Sequence, residues 1–159
     1  MPDINLKRRR LLGGSVLGVA AANLTLPGLS YANPLSASGK ASMAPLKHVD
    51  AGVLNIAYYE AGPAQGPVVF LLHGYPYDIH SYIDVAEILA KQGCRVIVPH
   101  LRGHGSTRFL DVATQRTGQQ SAVALDIIAL MDALKIDRAV MAGYDWGART
   151  ACIIAALWP

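Results

Sequence analysis

The stretch Gly143-Tyr144-Asp145-Trp146-Gly147 lies between a short apolar run, Arg138 to Ala142, and a run of helix-forming residues, Ala148 to Leu157. The first run reads as a buried strand and the second as a helix. Glycine at both ends of the stretch lets the chain turn sharply, and the missing Cβ atoms let strand and helix approach closely. Such a turn lifts the carboxylate of Asp145 above the end of a sheet, at a helix N-terminus where the dipole favours a negative group. The plainer alternative is an ordinary strand-helix turn with Asp145 as N-cap.

Working outward, the chain alternates strands and helices. Gln119 to Leu134 has helical spacing, with Ala124, Ile127, Ile128, Met131 and Leu134 on one face. Arg95 to Val98 is a buried strand stopped by Pro99. Ile79 to Gln92 reads as a helix through Tyr82, Val85, Ala86 and Leu89, with Gly93 as its C-cap candidate. Val68 to Leu72 is a continuous apolar run, as in a strand covered on both faces. Leu46–Val49 and Leu54–Tyr59 flank Asp50-Ala51-Gly52, a hairpin signal. The order β-β-β-α-β-α-β-α predicts an α/β fold with a mainly parallel sheet, helices on both faces and an N-terminal β-hairpin.

Two further motifs follow predicted strands. His73-Gly74-Tyr75-Pro76 comes directly after Val68–Leu72, and Leu101-Arg102-Gly103-His104-Gly105-Ser106 comes after Arg95–Val98. In this order, with the strand-turn-helix around Asp145, the three motifs resemble the epoxide hydrolase and haloalkane dehalogenase branch of the α/β-hydrolases. The resemblance covers roughly residues 46–159. It implies that Gly143 to Gly147 is a nucleophile elbow with Asp145 as nucleophile, supported by Gly143 and Gly147. It also implies an oxyanion hole made of the backbone N–H groups of Tyr75 and Trp146, with His73, Gly74 and Pro76 shaping the first loop. His73 itself reads as a structural residue bonded within that loop. The His-Gly-Tyr-Pro loop looks more like epoxide hydrolases than dehalogenases. His100 departs from the family pattern, which usually has an acidic residue there, and this puts local packing in question.

An aspartate at the elbow changes the chemistry. A carboxylate is ionised near pH 7 and attacks without a general base. On an ester carbonyl its product would be a mixed anhydride, which is uphill. On an sp³ carbon bearing a strained oxygen or a halide it gives a stable alkyl ester. A histidine base, oriented by an acid, must then activate water to hydrolyse that ester. In α/β-hydrolases both follow the nucleophile in sequence. Here all 5 histidines precede Asp145, and nothing after it is Asp, Glu or His. The expectation is therefore a fold truncated after the elbow helix, without acid, base or cap, and inactive alone. Its alternatives are a dehalogenase-like hydrolase and a non-catalytic remnant. Without the next strand, Ala139–Ala142 would form an open apolar sheet edge.

The net charge of +3 comes from the N-terminus, where Lys7, Arg8, Arg9 and Arg10 stand against Asp3. The rest of the chain balances, which argues against a nucleic-acid surface. Residues 1–32 read as a twin-arginine-like signal peptide: the basic cluster precedes a weakly apolar stretch, Leu11 to Leu26, and Ser30-Tyr31-Ala32 offers small residues for cleavage. This predicts export to the periplasm or beyond through the export machinery, the alternative being an uncleaved membrane anchor. Residues 33–45 read as a linker. Cys94 and Cys152 read as buried free thiols, with no disulfide framework and no metal spacing. The expected partner is a small-molecule substrate, with no cofactor. Oligomeric state and substrate identity are open.

Overall fold

The computed structural model describes residues 42–159, so the predicted signal peptide and most of the linker lie outside the described residues. Met43, within the stretch read as linker, is buried in the core, so the folded part begins before residue 46.

Elements run β1 (Lys47–Ala51), β2 (Leu54–Ala61), β3 (Val68–Leu72), a 3₁₀ turn (Ile79–Tyr82), α1 (Ile83–Lys91), β4 (Arg95–Pro99), β5 (Arg108–Phe109), α2 (Gln120–Ala133), β6 (Val140–Gly143) and α3 (Trp146–Leu157). Sheet order is β1-β2-β4-β3-β6, with β5 pairing β2. Strands β4, β3 and β6 are parallel, whereas β1, β2 and β5 pair antiparallel. The α/β order predicted from sequence, N-terminal hairpin included, is thus present, with the two-residue β5 added. A two-residue strand carries no periodicity from which it could be read.

The apolar runs of β3 and β4 serve two cores at once, because side chains alternate across a strand. Phe70, Leu72 and Ile97 join the cluster under α2 and α3. Val69, Leu71, Val96 and Val98 join the cluster under α1. Strand β6 is the edge of the described sheet, with Val140 61% exposed.

Three local expectations need correction. Residues 79–82 form a 3₁₀ turn instead of the first turn of an α-helix. Asp78 caps that turn through His80 N–H at 2.9 Å, and the Tyr82 hydroxyl donates to Leu72 O at 2.9 Å, which ties the segment to the end of β3. Neither cysteine is buried: Cys94 is half-buried and Cys152 exposed. Helix α3 buries Gly147, Thr150 and Ile154, a stripe that Cys152 misses. On α2, Ala124 and Ile127 are buried as expected, together with Val123, Asp126 and Leu130, while Ile128, Met131 and Leu134 are only partly covered.

The α2 face is turned inward by a charge. Asp126 receives two bonds from Arg102, Nε to Oδ2 and Nη2 to Oδ1, each at 2.6 Å. Arg102 also donates to Thr117 O and Ala122 O. Burial pushes Asp126 upward while Arg102 pulls it back. The pair locks the loop after β4 onto α2. Removing one partner strands the other charge in the interior, at a cost of roughly 3–5 kcal/mol. Arg102→Ala is therefore expected to lose about that much stability in urea denaturation, and a loss under about 1 kcal/mol would refute the assignment.

Candidate active site

The carboxylate of Asp145 stands where β6 turns into α3. Its backbone adopts φ 51 and ψ −117, a left-handed conformation rare for a side-chain-bearing residue. Strain of this kind persists only where its surroundings over-determine it. Here they do. Gly147 N–H donates to Tyr144 O at 2.9 Å and closes the turn. A Cβ on Gly147 would stand 1.9 Å from Leu72 O, so only glycine lets α3 start against the end of β3. Asp145 is the N-cap residue of α3, but its side chain makes no capping bond onto the N–H groups further along the helix.

The loop after β3 reaches the same point. A Cβ on Gly74 would meet Asp145 Cβ at 2.7 Å and Oδ2 at 2.8 Å, so the backbone lies directly against the acid. Tyr75 N–H then donates to Asp145 Oδ2 at 2.9 Å. The N–H groups of Tyr75 and Trp146 hold the Asp145 carboxyl below its ordinary range, and Arg149 adds a smaller pull. Asp145, Tyr75 and Trp146 are thus brought together, with His73, Gly74, Pro76, Gly143 and Gly147 around them. The Tyr75–Pro76 peptide is cis. The face is open: Tyr75 is 71% exposed and Tyr77 66%.

His73 is fully buried and bridges two motifs. Its Nε2 accepts from Leu101 N–H at 3.2 Å, which leaves Nδ1 to carry the proton and donate to Gly74 O at 3.2 Å. This extends the expected structural role, because the ring joins the loop after β3 to the loop after β4. His100 is buried as well, its ring seated on Gly105, and Thr107 Oγ1 donates to its carbonyl at 2.7 Å. The packing questioned at this position is therefore solved with a neutral ring beside a glycine.

Sequence reasoning did not single out Tyr144 or Ser81. Their hydroxyls meet at 2.8 Å and line an open cavity of about 620 Å³ with Pro76, Tyr77, Asp78 and His80. No spacing in the sequence connects residues 81 and 144. Among the described residues, no three His, Cys, Asp or Glu side chains are grouped to hold a metal ion.

The sequence profile of the alpha/beta hydrolase fold matches residues 67–159. An epoxide hydrolase of Caballeronia sordidicola is 32% identical over 114 residues, covering 72% of this chain and 34% of that protein. Epoxide hydrolase A of Mycobacterium tuberculosis is 35% identical over 101 residues, covering 63% and 30%. Among solved structures, a Klebsiella pneumoniae protein provisionally assigned as an epoxide hydrolase superposes with TM-score 0.71 at 60% identity, covering 72% of this chain and 38% of that one. An epoxide hydrolase of Vigna radiata superposes with TM-score 0.65 at 28% identity, covering 76% and 36%. The chain spans about a third of the length of the curated relatives it matches.

Burial holds the His73 ring at a pKa of about 4, against an ordinary 6.5. In the unfolded chain the ring takes a proton as pH falls below 6.5, whereas in the folded chain it does so only near 4. Its contribution to stability is therefore complete above 6.5 and is lost as pH falls towards 4, by about 3 kcal/mol. Urea denaturation at steps across this interval is expected to show that decline, and a flat profile would contradict the buried neutral ring.

Proposed function

The chain belongs to the α/β-hydrolase fold family, in its epoxide hydrolase-like branch, and from that premise we propose that Asp145 opens an epoxide by forming an alkyl ester. The observation that carries this reading is the bond from Tyr75 N–H to Asp145 Oδ2. It engages one carboxylate oxygen and leaves Oδ1 to attack. Oδ1 forms a bond to an epoxide carbon, the strained C–O bond breaks, and its electron pair stays on the departing oxygen, which then takes a proton from solvent water at the open face. The product is an ester whose carbonyl oxygen is Oδ2, already bonded to the Tyr75 N–H, with the Trp146 N–H also acting on the carboxyl group. When water adds to that carbonyl, negative charge collects on Oδ2, where these two donors stabilise it.

Hydrolysis needs a base to take the water proton. Among the described residues no histidine is bonded to the Asp145 carboxylate, and none acts on its charge. We therefore assign to these 159 residues by themselves a single alkylation without turnover. Incubation with a small epoxide is expected to add the full mass of one epoxide, and fragmentation should place it on Asp145. Asp145→Asn should gain nothing. An alkyl halide acting instead would add only the alkyl group, with loss of halide. Equal labelling of the Asp145→Asn variant, or repeated formation of diol, would overturn the proposal.

The basic cluster Lys7–Arg10 and the small residues at Ser30 and Ala32 support a companion proposal of export with cleavage after Ala32. N-terminal sequencing of exported protein is expected to begin at Asn33, and an intact Met1 on that material would contradict it.

A further inference from the structure

His73, His100 and His104 pack together between the loop after β3 and the turn after β4. The His73 ring centre lies 6.3 Å from that of His100 and 4.6 Å from that of His104, both edge to face. The proposed chemistry uses none of them. His73 has both ring nitrogens engaged. His100, only 4% exposed, has a buried Nδ1 with no hydrogen-bond partner. The ring is pressed onto Gly105, where a Cβ would stand 2.4 Å from Cε1 and Nδ1.

A neutral imidazole carries one bare nitrogen, an imidazolium none. The seat of Nδ1 tolerates a bare nitrogen. It offers nothing to accept an N–H, and burying an unpaired charged donor is costly. His100 therefore fits its seat only when neutral, with its proton on Nε2.

We propose that protonation of His100 unseats the turn spanning His100–Thr107 and thereby withdraws the Tyr75 N–H from Asp145, so that the loop after β3 is assembled only while this cluster is neutral. The path is contiguous. Leu101, the next residue, donates its N–H to His73 Nε2 at 3.2 Å. His73 Nδ1 holds Gly74 O, and the following N–H, that of Tyr75, reaches Asp145. The turn is a single unit: Thr107 Oγ1 donates to His100 O and accepts from Ala57 N–H of β2, and His100 N–H donates to Ala57 O. Ser106 Oγ, also buried without a partner, is a second polar group of the turn that gains from opening.

The charges facing His100 come from every side. Burial is the largest influence and holds it below its ordinary value. Asp78 favours its proton, while His80, His104 and His48 oppose it. Arg102, on the same turn, is committed to Asp126. His100 and His104 also press His73 downward. A proton on His104 thus disfavours protons on His73 and His100, and opening the turn relieves both.

The test is an NMR titration of the full chain, labelled with ¹⁵N and ¹³C, which needs no epoxide and so stands apart from the proposed chemistry. At pH 7.5 the Tyr75 amide proton is expected downfield, as a donor to a carboxylate. On acidification it should move upfield together with the Leu101 amide, on the same curve as the His100 ring carbons, with a midpoint below 6.5. In His100→Asn the Tyr75 amide should hold its position to lower pH. Tyr75 unmoved through the His100 titration, or an unchanged midpoint in His100→Asn, overturns the proposal. Should that variant lose its far-UV circular dichroism, the wild-type curves decide: separate midpoints for His100 and Tyr75 reject it.

Discussion

The contact between Leu72 O and the Cα of Gly147 sets the geometry on which the rest depends. Strands β3 and β6 are neighbours although α1, β4, β5 and α2 separate them in the chain, and Leu72 stands opposite Gly143 in their parallel register. Both strands therefore end at the same level. Any side chain at residue 147 would push α3 away from that level. With glycine there, the elbow turns directly over the end of β3, and the loop leaving β3 must pass beside it. Gly74 then makes the second close approach, against Asp145 itself. The Tyr75 N–H arrives at Oδ2 because a glycine makes each close approach, Gly147 on Leu72 O and Gly74 on the Asp145 side chain.

The elbow conformation is unfavourable taken alone. A residue held at φ 51 costs on the order of 1–3 kcal/mol. That cost is offset by bonds that exist only in this arrangement: Gly147 N–H on Tyr144 O, Tyr144 N–H on Leu72 O, and Tyr75 N–H on the carboxylate. The two central strands feed both cores, so the platform under the elbow is stiff. The loops above it hold through polar bridges instead, His73 on one side and Arg102 with Asp126 on the other. A site built in this way has a rigid base and a rim whose order depends on the charge state of a few buried groups.

Most of the base was legible in the sequence. Continuous apolar runs at Val68–Leu72 and Arg95–Val98 have one economical reading, and glycines flanking Asp145 after such a run have few. The rim was less legible, because its bonds join residues far apart in sequence. Nothing in Asp126, midway along an apolar helix face, announces Arg102 24 positions earlier. Tyr144 with Ser81 is a similar case. The thiols were misread because a cysteine beside apolar residues looks buried until the stripe of its helix is known, and α3 turns Thr150 and Ile154 inward in place of Cys152. His100 was visible as a departure, but its physical answer, a bare nitrogen over Gly105, needed coordinates.

The direction of the two N–H donors also bears on the proposed chemistry. They address the nucleophile itself, not an oxygen of the substrate. In the free carboxylate, charge is shared between two oxygens, so the Tyr75 N–H on Oδ2 and the nearby Trp146 N–H stabilise it and moderate the attack by Oδ1. In the ester, Oδ2 is a neutral carbonyl and interacts with them more weakly. In the tetrahedral adduct formed by water, a full negative charge sits on Oδ2. The donors are thus matched best to the second step, and catalysis follows what is bound more tightly in the transition state than before it. The same geometry that slightly restrains ester formation favours ester cleavage. An elbow of this kind makes sense with a water-activating base nearby; in the proposed chemistry Tyr75 and Trp146 supply the oxyanion half of that pair.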